Sequence, residues 1–181
     1  DKIFDKIHNI LIGNNRTALK ASYQKAIELG YNASILSSYI KGEAREVAKV
    51  FSAIAREIHR YGEPVKRPAC IIAGGETTVR VHGNGMGGRN QEFVLSTAME
   101  IDGLENTVIL SAGTDGIDGN TDAAGAIADG STVMRAKRIK MDPETYLDAN
   151  NSYSFFKGLN DLIVTGPTRT NVMDIMLLLV G

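Results

Sequence analysis

The sequence predicts an α/β protein in which a small α/β domain with a mixed sheet is preceded by a helix–strand–helix unit. Helical and strand patterns alternate along the chain with short connections, which is the arrangement found in α/β folds. Glycine is concentrated in one stretch, because 12 of the 19 glycines lie between Gly74 and Gly130. Charge is also uneven: residues 1–68 carry 12 basic and 7 acidic side chains, whereas residues 69–181 carry 8 and 14. These differences predict two units.

The composition excludes several classes of protein. A net charge of −1, with 23% charged residues, gives no basic field for nucleic acid or an anionic membrane. The longest apolar run, Ile175 to Val180, has six residues and is too short to cross a bilayer. The single cysteine, Cys70, excludes an intrachain disulfide and a cysteine-built zinc site. We therefore expect no nucleic-acid or membrane partner and a reducing, cytoplasmic location.

The first unit, residues 1–62, contains two predicted helices and a strand. Residues 16–29 form an amphipathic pattern that follows two asparagines and ends before Gly30, so both caps of a helix are present. The short apolar segment 33–36 predicts a strand. A second helix follows Gly42, because apolar residues recur there at intervals of three and four. These apolar positions are Ala44, Val47, Ala48, Phe51, Ile54, Ala55 and Ile58.

Residues 63–68 contain two prolines and are the predicted linker to the second unit, residues 69–181. A helix is predicted from about residue 90 to residue 101, and Asp142-Pro143 opens a short one. The predicted strands are residues 69–73, 77–82, 107–112, 161–165 and 173–180.

A glycine-rich loop at residues 83–88 precedes one of these helices and is a candidate ligand site. It contains the pattern GxGxxG, which is typical of dinucleotide-binding turns. The segment before it alternates apolar and polar residues, as a hairpin strand does, and no acid ends a second strand about 20 residues later. A plain glycine turn is therefore the alternative.

Arg89 follows the glycines directly. The amides at a helix N-terminus, glycines that let the backbone come close to a ligand, and a guanidinium together suit binding of a phosphate or a carboxylate. The alternative is an ion pair with Glu92 one helical turn later, and the spacing does not decide between the two.

A second candidate loop, residues 113–125, follows a predicted strand and carries Asp115, Asp118 and Asp122. Ligands of α/β proteins bind at such strand ends. Magnesium held by one or two of these carboxylates together with substrate phosphates fits this composition. The alternative is an Asx-rich turn whose side chains bond to its own amides.

Four segments in this order resemble the C-terminal domain of the class II glycerate kinases, called MOFRL. Residues 14–18, 30–31 and 42–47 resemble the end of the domain that precedes MOFRL in that family. The four segments are Ala73–Thr78, Gly87–Glu92, Ser111–Gly125 and Thr165–Val172.

The resemblance implies ATP- and Mg²⁺-dependent phosphorylation of D-glycerate at its 2-hydroxyl, giving 2-phosphoglycerate. It also implies a cleft shared with a larger Rossmann-like N-terminal domain. Residues 1–62 would be the end of that domain, and the rest of it, with a phosphate-binding lysine, is absent here. We therefore expect no turnover by this chain alone. The apolar faces of residues 1–62 would be covered either by the rest of that domain or by a second copy of the chain in a homodimer.

The resemblance assigns roles to particular residues. Arg89 matches the family's active-site arginine, Asp115 is the candidate for catalysis and for Mg²⁺, and Asp118 is the second candidate metal ligand. Arg169 stands where the family pattern has glycine. The residues expected to bind substrate or phosphate are Glu76, Gly87, Gly88, Asn90, Thr114, Thr168 and Asn171.

Two other functions stay open. One is an NAD(P)-dependent oxidoreductase, a hydroxypyruvate reductase, which rests on the GxGxxG pattern and on an older name for relatives of this family. The other is a non-catalytic module that binds a small anion.

Overall fold

The described residues fold around one open, mixed sheet of six strands in the order β1-β2-β6-β3-β4-β5. This computed structural model describes residues 7, 8 and 10–181. The strands are β1 (Asn32–Ile40), β2 (Ala69–Gly75), β3 (Thr107–Gly113), β4 (Gly125–Asp129), β5 (Leu162–Ile163) and β6 (Asp174–Val180). The helices are α1 (Asn15–Glu28), α2 (Ala44–Tyr61), α3 (Arg89–Glu100), α4 (Thr132–Arg138), α5 (Pro143–Asp148) and α6 (Ser152–Leu159). The predicted α/β class with a mixed sheet is confirmed.

The direction of the strands brings several chain ends to one edge of the sheet. β1 runs parallel to β2, whereas β6 lies between β2 and β3 and is antiparallel to both. The carboxyl ends of β2 and β3 therefore meet the start of β6. Asp174 is in register with Gly75 on one side and with Gly113 on the other. We call this edge of the sheet the site edge.

Helices cover the two faces of the sheet unequally. The larger core lies between the sheet and α2 and α3, where the rings of Phe51 and Phe93 meet edge to face with centroids 5.1 Å apart. The opposite face carries a smaller core in which Leu19 of α1 packs with Cys70 and Ile72. Within the described part of the chain, no helix combines the length and the apolar character needed to cross a membrane.

The predicted helices near the start of the chain, α1 and α2, are present. The predicted strand at 77–82 is wrong, because the backbone there pairs with other partners. Thr78 exchanges backbone hydrogen bonds with Gly42 and Ala44, and the amides of His82 and Gly83 donate to a side chain. Strand β4 and helices α4 and α6 were not predicted.

The two predicted units share one sheet, since β1 pairs with β2 across the intervening linker. The division of the chain at residues 63–68 stays a prediction.

Candidate functional site

A cleft of about 810 Å³ lies at the site edge. One wall is the end of β1, including Tyr39, and another is the segment from Gly75 to Val81. The glycine loop, Arg89 and the tip of the loop after β3 also line it, together with Glu92, Asn150 and Met173. Three of the four family-like loops therefore line this cleft, and the fourth, at 165–172, lies beside it.

Arg89, the first residue of α3, is fixed in the cleft by an ion pair. Its Nε donates to Asp174 Oδ2 at 2.6 Å, and its Nη2 donates to Asp174 Oδ1 at 2.9 Å. Glu76 Oε1 lies 3.4 Å from the same Nη2. The alternative pairing of Arg89 with Glu92 is wrong, because Glu92 pairs with Arg45 at 2.9 Å.

The Arg89–Asp174 pair combines a buried carboxylate with a partly exposed guanidinium. The Asp174 side chain is 0% exposed and that of Arg89 is 27% exposed. Hydrogen bonding to Asp174 is the main cause that raises the pKa of Arg89, so the guanidinium is a permanent cation. A positive group thus faces the cleft from a fixed position.

Sequence reasoning missed Asp174. It lies 85 residues from Arg89, and the register of β6 brings the two together. One signal was present: an acid stands directly before the apolar run Ile175 to Val180, where a strand meets the edge of its sheet.

The glycines at 83–88 are needed for packing against the backbone between α5 and α6. The Gly85 amide donates to the Ala149 carbonyl at 3.0 Å. A β-carbon at Gly83 would collide with that carbonyl, and one at Gly87 would collide with Ser152 Oγ. No strand directly precedes this described loop, which is unlike a dinucleotide-binding turn. The packing therefore explains the GxGxxG pattern without a pyrophosphate.

Asp118 caps helix α3 from outside the helix. Its carboxylate accepts from the backbone amides of Asn90 at 3.1 Å and Gln91 at 2.9 Å, and from Asn90 Nδ2 at 3.1 Å. It is 1% exposed, and burial is the main cause that raises its pKa to about 6, against the lowering effect of these bonds. Two of the helix amides expected to hold a ligand anion, those of Asn90 and Gln91, are thus already occupied.

This arrangement gives little support to two predicted roles, which stay predictions. Asp118 has its oxygens engaged by the helix, which does not suit a metal ligand. Asn90 is 1% exposed and its Oδ1 accepts from Ser111 Oγ at 2.5 Å, so it supports the loop rather than lining the cleft.

Asp115 belongs to a second cluster, beside the cleft. Its Oδ1 accepts from the Ile117 amide at 3.1 Å and its Oδ2 from Asn171 Nδ2 at 3.2 Å. Thr168 donates its amide to the Asp115 carbonyl at 3.0 Å and its hydroxyl to the Thr114 carbonyl at 2.5 Å. The predicted residues Asp115, Thr114, Thr168 and Asn171 are therefore brought together.

The two clusters meet at Gly113. A β-carbon there would lie 3.0 Å from Asp115 Oδ1 and 3.6 Å from Asp174 Oδ1. Arg169, in the neighbouring loop, has a φ of +62°, so it adopts the left-handed backbone that the family's glycine favours. Its exposed side chain leaves the loop's contacts to Asp115 in place.

The described residues contain no group of three or more His, Cys, Asp or Glu side chains placed to hold a metal ion. Asp115 is half-buried, and its two oxygens each accept one hydrogen bond, which leaves lone pairs free. Magnesium is commonly held by one or two carboxylates with substrate phosphates and water supplying the rest. Asp115 fits such a site better than Asp118.

Comparison with known proteins decides the family. The model of the MOFRL family matches residues 69–174, which is more than half of the chain. This chain belongs to the MOFRL family.

The MOFRL chain is 46% identical over 167 residues to a D-glycerate 2-kinase of Thermotoga maritima, covering 92% of the chain and 40% of that protein. A crystal structure of a Thermotoga maritima glycerate kinase matches 98% of the chain with a TM-score of 0.96 and 44% identity, over 43% of its own length. A putative hydroxypyruvate reductase of Agrobacterium vitis is 42% identical over 173 residues, covering 94% of the chain and 45% of that protein. The chain thus spans less than half the length of these relatives, and the predicted resemblance to glycerate kinases is confirmed.

Proposed function

We propose that this chain is the C-terminal portion of an ATP-dependent glycerate 2-kinase, which phosphorylates D-glycerate to 2-phosphoglycerate. The observation that carries the proposal is the pair of Arg89, which lines the cleft, with the buried Asp174. The pair occupies Nε and Nη2, and Nη1 makes no hydrogen bond to any described residue. The guanidinium is thus held rigidly with donor capacity left for an anionic ligand.

Phosphoryl transfer suits this geometry. The glycerate hydroxyl oxygen forms a bond to the γ-phosphorus, the bond to the ADP oxygen breaks, and the hydroxyl proton is released. Charge spreads over the equatorial oxygens in the transition state, so a fixed planar cation stabilises it or clamps the glycerate carboxylate. Asp115 would hold Mg²⁺, which when bound neutralises charge on the phosphate oxygens.

Glu76, Gly87 and Gly88 line the cleft with Arg89 and are proposed to contact substrate or phosphate. Thr114, Thr168 and Asn171 are proposed to act beside them, through the Asp115 cluster. The larger N-terminal domain of the relatives would supply the opposite wall and the remaining ATP contacts. We accordingly propose that residues 1–62 end that domain, that residues 63–68 link it to 69–181, and that the enzyme is cytoplasmic.

The name of the Agrobacterium vitis relative favours an oxidoreductase as the second candidate. The structure gives this candidate less support, because the first two glycines of the GxGxxG pattern, Gly83 and Gly85, pack against residues 149–151 and the third, Gly88, packs against Asp118. A non-catalytic anion-binding module is the third candidate, and it predicts binding without turnover.

The test is ADP release in the presence of glycerate, ATP and Mg²⁺, measured on this chain and on the complete protein that carries it, after intact-mass measurement. We expect release by the complete protein and none by this chain. Arg89→Ala should lower kcat/KM by about 10³-fold. Arg135→Ala is the matched control, because Arg135 forms a similar two-bond pair with Asp161 away from the cleft.

Equal activity of these two variants would contradict the assigned role of Arg89. NADH oxidation with hydroxypyruvate, without ADP release, would support the oxidoreductase instead.

A further inference from the structure

We propose that Asn150 is a positioning residue for the cleft, which holds the chain on both sides of Arg89. Asn150 lies between α5 and α6, is 7% exposed, and has a φ of +52°. It lines the cleft but belongs to none of the four family-like loops. The activity part of its test rests on the proposed function, whereas the structural part is measured without substrate.

On the N-terminal side of Arg89, the Asn150 side chain hydrogen-bonds to backbone groups that no strand satisfies. Its Oδ1 accepts from the backbone amides of His82 at 2.7 Å and Gly83 at 2.9 Å. Its Nδ2 donates to the Arg80 carbonyl at 3.1 Å. The Asn150 side chain therefore anchors the segment that leads into the glycine loop.

On the C-terminal side, Asn150 holds helix α3. Its Nδ2 donates to Glu92 Oε2 at 3.0 Å, and Glu92 is 2% exposed. The other oxygen of Glu92 accepts from Arg45 Nε at 2.9 Å. Because Glu92 lies one helical turn after Arg89, Asn150 ties together the two ends of the segment that carries the guanidinium.

The chemistry of these contacts specifies asparagine. An asparagine amide has two N–H donors and an oxygen with two lone pairs, and the four bonds use all of them. Aspartate would lose both donors and would bring a second carboxylate to Glu92. Asparagine also tolerates a positive φ better than most side chains do.

This clamp matters for catalysis because rates depend steeply on geometry. Misplacement of a catalytic group by about 1 Å can lower the rate by about 10²-fold. A loosened segment between residues 83 and 92 would let Arg89 depart from its position against Asp174. Of the two roles proposed for Arg89, stabilisation of transition-state charge is the one that this inference uses, so the loss should appear mainly in kcat.

The decisive variant is Asn150→Gly, which keeps the left-handed backbone and removes all four bonds. Its matched control is Asn160→Gly, at a φ of +60° at the end of α6, where the side chain makes no hydrogen bond to any described residue. Amide hydrogen exchange on this chain should be at least about 10-fold faster at His82 and Gly83 in Asn150→Gly. The control should leave both amides protected, and α2 should be unchanged in both variants.

In the complete enzyme, Asn150→Gly should lower kcat by roughly 10- to 100-fold and change the KM for glycerate by less than about 3-fold. Asn150→Asp keeps the oxygen acceptors, so it should restore protection at His82 and Gly83 but not kcat, because the contact to Glu92 stays lost. Unchanged exchange in Asn150→Gly, or an equal loss of kcat in Asn160→Gly, would overturn the proposal.

A complete protein that releases no ADP with glycerate would instead contradict the proposed function. The exchange measurement would still decide whether Asn150 clamps the segment.

Discussion

Removal of the Arg89 side chain should destabilise the fold as well as the activity. In Arg89→Ala the Asp174 carboxylate would lose both of its hydrogen-bond donors among the described residues, while its side chain is 0% exposed. Breaking a buried ion pair by removing one partner typically costs 3–5 kcal/mol, because the other charge stays buried without compensation. Arg89 is itself partly exposed, so we expect a loss near the low end, about 3 kcal/mol.

The reciprocal change should cost less. In Asp174→Ala the remaining charge is that of Arg89, whose side chain is 27% exposed and lies 3.4 Å from Glu76. Water and Glu76 can therefore compensate it, and about 1–2 kcal/mol is expected. The double variant should be no less stable than Arg89→Ala, because it buries no charge.

Urea denaturation of the wild type, the two single variants and the double variant would measure this coupling as a double-mutant cycle. The expected coupling is about 2 kcal/mol. Single losses that add in the double variant, or a loss below about 1 kcal/mol for Arg89→Ala, would refute the reasoning. The result also decides how activity data are interpreted, since lost activity in Arg89→Ala must be corrected for any unfolded fraction.

Three further predictions follow from buried groups. Phe51→Ala should lower the free energy of unfolding by roughly 3–5 kcal/mol in urea denaturation, because Phe51 is 1% exposed and packs against Phe93; a loss below about 1 kcal/mol would contradict this packing. Cys70 should not react with iodoacetamide at pH 8 until the chain unfolds, since burial raises the pKa of its thiol to about 11; rapid labelling of the native chain would contradict this. Because the folded pKa of Asp118 is raised to about 6 from 3.8, the folded state binds the proton more tightly, so this group's contribution to stability should fall by about 2 kcal/mol as the pH rises from 4 to 7. Asp118→Asn should remove that change, so a stability difference from the wild type that stays constant over this pH range would argue against it.

The helix α2 could be predicted because its apolar residues repeat at the helical period and face one core. Apolar and polar residues alternate in the segment 77–82 as they do in a strand. Its backbone hydrogen bonds nevertheless go to Gly42 and Ala44 at the start of α2 and to the Asn150 side chain. Periodicity reports which side chains face the interior, but it does not report which partner satisfies the backbone. Strand β4 escaped prediction because its five residues are bounded by glycine and aspartate and too short for a clear pattern.

The same limit applies to the site. Arg89 could be located because its neighbours in the sequence carry its signal, glycines before it and a helix after it. Its partner Asp174 lies at the far end of the chain, and only the register of β6 between β2 and β3 brings it near. The helix-capping bonds of Asp118 could not be predicted, because capping of a helix by a residue from another loop leaves no local pattern.

The position of β6 has a consequence for the biosynthesis of this chain. β6 is the last described strand in sequence, yet it joins two parts of the sheet, β1–β2 and β3–β4–β5, that do not pair with each other directly. At about 5–20 residues per second, the ribosome needs roughly 5–20 s to go from the end of β2 at Gly75 to Val180. During that interval β2 can pair with β1, but its other edge, which β6 covers in the finished fold, has no strand to pair with. Until residues 174–180 emerge, the chain therefore exposes a strand edge, which is a site for aggregation, and a premature stop codon before them would leave that edge uncovered.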